Sequence, residues 1–405
     1  MDWEPLFAGK TPAPATRFAG FPAYNFVGGH NDPAAVPVAA LAETAARVVA
    51  EQGHLLATYG LDSGALGHRG LREFVAGKLR DQRGIGAGDD DVLITSGSLQ
   101  ALDLVNELLL EPGDTVLVEQ FTYGGMLTRL ARKGVEVVGI PLDEDGLRVD
   151  RLEAELQRLQ GQGVRPKYLY TVPTLQNPTA TVMPLDRRLA LLALCARFDV
   201  PIFEDECYAD LVWEGDWPPA LRGLPGGERV IHIGSFSKSL APALRLGYVN
   251  APWSVLSRLV ALKTDAGTPA LEQMVVADYF GRRFEPHVQE LKARLAAKCE
   301  VLMEALGEQF GAAAEFARPK GGIFLWVKLP EGIDTKRLEA AALAEGVAFN
   351  PGIEWSTDAA AARSSLRLCY ALPDEATIRE GVARLAEICH RETGIPVRSA
   401  NRPRD

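Results

Sequence analysis

Val230-Ile231-His232-Ile233-Gly234-Ser235-Phe236-Ser237-Lys238-Ser239-Leu240-Ala241-Pro242-Ala243-Leu244-Arg245-Leu246-Gly247-Tyr248 is the stretch on which the fold turns. Residues 230–233 form a short β-branched run, read as a buried strand, and it stops at Gly234, where a polar loop opens. The loop carries Ser235, Ser237, Lys238 and, seven residues after the lysine, Arg245. In open α/β sheets, ligands sit outside the carboxyl ends of the strands. Hydroxyls beside a guanidinium suit a phosphate, and a lysine can condense with a carbonyl. Together they suit one small molecule carrying both a phosphate and an aldehyde. The same residues would also serve as an ordinary surface loop, so the rest of the chain has to decide.

At 405 residues the chain is long enough for two domains and a large core. It is 47% hydrophobic and 24% charged, the balance of a soluble globular protein. A net charge of -10 argues against nucleic acid as a partner, because phosphate backbones need a basic face. Arg398, Arg402 and Arg404 read as a frayed tail. Cys195, Cys207, Cys299, Cys369 and Cys389 are scattered, odd in number and form no Cys-x-x-Cys. That fits reduced thiols in a cytoplasm better than a disulfide frame or a metal site. There is no basic-then-apolar leader and no apolar run of membrane-spanning length, so a cytoplasmic protein without a membrane partner is expected.

Residues 1–24 are rich in Pro, Ala, Gly and aromatics without helical period and read as an extended arm. A short strand then enters the glycine turn Gly28-Gly29-His30-Asn31-Asp32, where the backbone can approach a ligand. Helical stretches follow at 37–52, ended by Gly53, and at 71–83. Gly84-Ile85-Gly86-Ala87-Gly88 lies after a helix and before a strand, the reverse of a dinucleotide fingerprint, which removes the simplest nicotinamide reading. From there strands are predicted at 92–95, 115–119, 135–140, 167–172, 201–204 and 230–233, with helices at 99–110, 150–160 and 184–198. This alternation predicts a mostly parallel sheet with helices on both faces. A long helix is predicted over 285–310, then an α+β part with strands at 321–329 and 366–370 and a helix at 334–345.

Several stretches at strand ends make chemical sense together. Gly97 lets the chain turn between strand and helix, leaving Ser98 and the first helical amides facing outward as an anion site or as a plain N-cap. Tyr123, just past a strand, could stack on a planar ring. Asn177, in Gln176-Asn177-Pro178-Thr179, offers an amide to a ring oxygen. Asp205 leaves an apolar strand with Glu206 beside it and Tyr208 three residues on. A carboxylate under a pyridine nitrogen keeps it protonated and makes the ring an electron sink. Arg367, between Leu366 and Leu368, is paired either with an acid of the fold or with a substrate carboxylate.

In this order the stretches resemble the pyridoxal 5'-phosphate (PLP) dependent aminotransferases of fold type I, class I/II. The likeness is greatest to the branch of 2-aminoadipate and kynurenine aminotransferases and the aminotransferase-like half of MocR regulators. It runs from about Asn25 to Tyr370 and includes Leu71-Arg72-Glu73, Ile94-Thr95-Ser96-Gly97-Ser98, Pro112-Gly113-Asp114, Ser235-Phe236-Ser237-Lys238, Arg245-Leu246-Gly247-Tyr248 and Pro351-Gly352. The resemblance implies an aspartate aminotransferase-like α/β fold. A mostly parallel seven-stranded sheet would lie in a large PLP-binding domain (46–284), with a smaller α+β C-terminal domain (285–405) and an arm (1–45) packing on the small domain or a partner.

It also implies that Lys238 forms the Schiff base and moves the proton between the substrate's Cα and the cofactor. Asp205 would pair with the pyridine nitrogen, Tyr208 and Asn177 would hold the ring oxygen, and Tyr123 would stack on the ring. Gly97, Ser98, the Leu99 amide, Ser235, Ser237 and Arg245 would cradle the phosphate. Tyr59 would reach the phosphate of a second subunit, with Thr268 a second cross-subunit contact, which implies a homodimer with shared sites. Arg367 would bind the α-carboxylate beside Gly29 and Asn177, and no metal is implied.

The implied reaction passes the amine of an α-amino acid to PLP and on to a 2-oxo acid. The same cofactor could instead serve elimination or replacement on an unusual amino acid, since these also begin with loss of the Cα proton, or could be kept without turnover by a sensor. The chain departs from the family pattern at 28–32, where the usual Pro is Asn31, and at Phe121, Ala180, Glu206 and Ala243. No winged-helix segment precedes the domain in this sequence, so a full MocR-type repressor is not expected.

Overall fold

Seven strands make the central sheet, in the spatial order Val92–Thr95, Gly247–Asn250, Val230–Ser235, Ile202–Asp205, Leu169–Thr171, Thr115–Glu119 and Glu136–Ile140. The coordinates are a computed structural model that describes residues 2–9 and 11–397, so the arginines at 398, 402 and 404 lie outside the described residues. Six of the strands run one way, and Gly247–Asn250 runs against both its neighbours, pairing Tyr248 with Ile94 and with Gly234. Most are buried along their whole length, as parallel strands covered on both faces must be. Leu102, Val105, Met126 and Leu130 cover one face, and Leu156, Leu191, Leu192 and Cys195 cover the other.

The long helix differs from expectation at its start. It spans Ala270–Phe310, not 285–310, and runs through Pro286. One backbone hydrogen bond is lost there, yet both flanking halves are held by burial. Val276, Phe280 and Phe284 pack with Leu71, Val75, Phe236 and Tyr248, while Leu291, Leu295, Leu302 and Leu306 pack with Phe324, Leu366, Ile378 and Leu385. One helix therefore belongs to two cores.

The C-terminal part carries a three-stranded antiparallel sheet, Phe324–Lys328, Ser365–Cys369 and Asn350–Pro351. It also carries a helix that the sequence reading did not place, Glu375–Thr393, whose first turn is capped by Asp374 accepting from the Thr377 amide at 2.8 Å. Tyr24–Asn25 pairs in parallel with Val347–Ala348, which ties the glycine turn after the arm to this part. In the arm itself Trp3, Leu6, Phe7, Phe18 and Phe21 are exposed.

Candidate active site

The strands running in one direction bring their carboxyl ends to one rim, and a cavity of about 750 Å³ opens there. Asp205 and Ser235 are last residues of strands, and Ser98, Tyr123, Asn177, Ser237 and Lys238 follow within a few residues of a strand end. Gly29, Leu99, Tyr208, Arg245 and Arg367 complete the expected set on the lining. Gly97 stands behind it at φ +77°, where a Cβ would collide with the Arg245 guanidinium. Tyr59 is not at this cavity. It is 89% exposed and lines a second cavity of about 690 Å³ together with Thr268, whose hydroxyl donates to the Ile94 carbonyl at 3.3 Å.

Lys238 Nζ donates to the Gly29 carbonyl at 2.5 Å and makes no ion pair among the described residues. Burial is the main cause that lowers its pKa from the ordinary lysine value, with Arg367 and Arg245 adding to it. Asp205 accepts from the Tyr170 hydroxyl at 2.8 Å and from the Cys207 amide at 3.1 Å, and it too lacks a charged partner. Burial raises its pKa, and those donors pull against the rise.

Asn177 links three elements. Its Nδ2 donates to the Tyr208 hydroxyl at 3.1 Å, and its Oδ1 accepts from Arg367 Nη1 at 3.0 Å. The Arg367 guanidinium lies 3.8 Å from the Trp355 ring centre, with Phe324 at 5.1 Å. Tyr123 folds over Gly125 and meets Trp355 at a ring distance of 5.8 Å.

Ser98 proves to be the first helical residue, with Gly97 as N-cap and no side-chain cap, so the plain N-cap reading is set aside. Within the described residues the Ser98 and Leu99 amides donate to no protein acceptor, leaving an open helix N-terminus pointed at the cavity. Arg245 donates only to the carbonyls of Pro242 and Ser96, each at 3.2 Å. Gly247 is required beside it, because a Cβ there would lie 2.6 Å from the Ser98 nitrogen.

The charges test which group fits. One wall offers Arg245, two hydroxyls at Ser235 and Ser237, and two free amides, with no acid among them. The floor offers a buried carboxylate, Asp205, with no cation, and an amine stands between them. A molecule with a phosphate at one end, a basic ring nitrogen at the other and a carbonyl between satisfies all three, and PLP has those parts.

Of the departures, Glu206 turns away from the cavity. It accepts from Arg83 at 2.5 Å and from Thr174 at 2.6 Å, and lies 3.5 Å from Arg188, all fully buried. Asn31 Nδ2 donates to the carbonyls of Leu240 at 2.9 Å and Lys238 at 3.3 Å, fastening the glycine turn to the lysine loop. Ala180, one of the departures from the pattern the chain resembles, adopts a left-handed φ of 60°, a conformation that favours glycine.

Sequence reasoning missed Tyr170, Cys207, Asn350 and Trp355 on the cavity wall. Tyr170 lies in a strand buried on both faces, where alternation gives no signal of which side meets the cavity.

The sequence model of the family described as aminotransferase class I and II matches residues 24–385. An aromatic-amino-acid aminotransferase of Thermococcus litoralis is 34% identical over 91% of this chain and 88% of its own. A 2-aminoadipate transaminase of Thermus thermophilus is 36% identical over 89% and 88%. The crystal structure of a multiple substrate aminotransferase from Thermococcus profundus superposes with a TM-score of 0.89 at 33% identity, covering 97% of this chain and 100% of that one.

Proposed function

The chain belongs to the class I and II aminotransferases and is a PLP-dependent transaminase, and we propose that Lys238 is the amine through which it holds and works its cofactor. PLP supplies an aldehyde that condenses with amines and, when protonated at the ring nitrogen, a sink for the electrons left at the substrate's Cα. The observation that carries the reading is the pairing of an amine of lowered pKa with a lone buried carboxylate across one cavity.

Each residue's task follows from its surroundings. Lys238 is neutral for more of the time than a surface lysine, so it attacks a carbonyl readily and can accept a proton. Asp205, held by Tyr170 and Cys207, keeps a proton on the ring nitrogen. Ser98, the Leu99 amide, Ser235, Ser237 and Arg245 take the phosphate, and Gly97 leaves room for the arginine. Tyr208 and Asn177 orient the ring oxygen, Tyr123 covers the ring, and Arg367 takes the α-carboxylate beside Gly29.

Large apolar or aromatic side chains suit the site best. Among the described residues Lys238, Arg245 and Arg367 are the only cations on its lining, each with a task, and the same lining carries Tyr123, Ile353 and Trp355, the last 3.8 Å from Arg367. The protein acts as a homodimer, since exposed Tyr59 and the second cavity offer a surface for a copy of the chain. Two cores sharing the Ala270–Phe310 helix support a division into arm, large domain to 284 and small domain from 285. The cytoplasm fits five unpaired cysteines, and no helix among the described residues is long and apolar enough to cross a membrane.

The test is spectroscopic. Purified protein should be yellow, lose that colour with an amino acid, and regain it with a 2-oxo acid, phenylalanine acting faster than 2-aminoadipate. A colourless protein that stays colourless after incubation with PLP ends the reading.

A further inference from the structure

Arg367 has five N–H groups, and three are already committed. Nη1 donates to Asn177 Oδ1 at 3.0 Å, while Nη2 donates to the Gly28 carbonyl at 2.7 Å and to Asn350 Oδ1 at 3.0 Å. The two left are one on Nη1 and the buried Nε–H, which has no acceptor. They are not neighbours on the guanidinium fork. A carboxylate is held bidentately only by two neighbouring, parallel N–H groups. One of the three present acceptors must therefore give way before a carboxylate can be gripped.

The three are not equally free to do so. Gly28 offers main chain. Asn177 is pinned by its own Nδ2 on the Tyr208 hydroxyl. Asn350 is half-buried on the cavity wall, and its Nδ2 has no acceptor among the described residues. It stands in register with Arg367 across two antiparallel strands, so the two side chains stay neighbours whichever way the amide turns.

We propose that Asn350 holds the place of the substrate's α-carboxylate on Arg367 and, when that carboxylate arrives, turns its amide to donate Nδ2–H to it. This rests on Arg367 being the carboxylate anchor. Asparagine suits the task because one flat group carries an acceptor for the empty site and a donor for the filled one. An aspartate would pair with Arg367 permanently, and an aliphatic residue would supply neither contact.

Calorimetric titration of the holoenzyme with 3-phenylpropionate, a carboxylate with no amine to transfer, tests this. Asn350→Ala is expected to bind the probe about tenfold more weakly, and Asn350→Asp about a hundredfold more weakly. The cofactor's absorption spectrum and its retention on dialysis should match wild type in both. In turnover the loss should fall on KM for the amino acid, with kcat within about twofold. Asn350→Thr keeps a donor and an acceptor and should lie between wild type and Asn350→Ala, which also covers the case of an Ala variant that does not fold. Probe binding by the Asp and Thr variants at wild-type strength overturns the proposal. If Arg367→Ala also binds the probe normally, the anchor was misassigned; if it does not, only the role of Asn350 fails.

Discussion

The Tyr170 hydroxyl donates to Asp205 Oδ2 at 2.8 Å, and no cation touches that carboxylate among the described residues. Tyr170 thus lowers the proton affinity that burial gives Asp205. In Tyr170→Phe the carboxylate should keep its proton to higher pH, where it can no longer hold a charged ring nitrogen. The acid edge of cofactor retention should therefore move up by about one pH unit, the size of one hydrogen bond to a charged group. Absorbance after dialysis at a series of pH values measures it. An unmoved edge removes Tyr170 from this role.

Lys238→Ala should lose the yellow colour and roughly a thousandfold or more of turnover. The fold should survive, because among the described residues Lys238 Nζ makes only one hydrogen bond, to Gly29. Circular dichroism and sedimentation check the second half. Retained turnover refutes the assignment.

Glu119 should make stability depend on pH near neutrality. It is fully buried and accepts from Thr171 at 2.6 Å and Gln176 at 2.9 Å, yet burial outweighs these donors and pushes its pKa from 4.5 up to about 7. Below 4.5 the carboxyl is protonated in both the folded and the unfolded chain. As the pH rises the unfolded chain releases its proton first, so stability is lost through about 7. The loss amounts to about 3 kcal/mol. Glu119→Gln has no proton to release. The urea midpoint of wild type should fall relative to this variant between about pH 5 and pH 8, and a constant difference would count against it.

Glu206→Ala should be strongly destabilising. It leaves the buried guanidinium of Arg83 without its ion pair and that of Arg188 without its nearby carboxylate. Breaking a buried pair from one side costs about 3–5 kcal/mol, which a lowered thermal midpoint will show. A loss under about 1 kcal/mol would mean that water or a neighbouring acid replaces the carboxylate.

Ala180→Gly should stabilise by about 1 kcal/mol, since only the Cβ opposes the left-handed backbone at that position. A raised thermal midpoint with unchanged KM is the expected result.

Legibility in the sequence followed burial. Parallel strands covered on both faces appear as unbroken apolar runs, so all six that were expected are present within a few residues. Gly247–Asn250 escaped notice because it begins with glycine and follows directly on the Arg245 loop. Most of the expected residues on the cavity lining were legible because they follow a strand end closely in sequence. Tyr170 and Asn350 were not, because their meaning comes from partners 35 and 17 residues away across neighbouring strands. Glu206 stands beside Asp205 in sequence, and alternation along the chain turns it to the opposite side, onto Arg83.

The two ends of the cavity have separate owners. The groups suited to phosphate and ring grow from the central sheet, whereas Gly28, Gly29, Asn350, Trp355 and Arg367 hang from the C-terminal layer to which Tyr24–Asn25 is stitched. Evolution or an engineer can thus rewrite the diet of this enzyme on one layer while the other goes on carrying the vitamin unchanged.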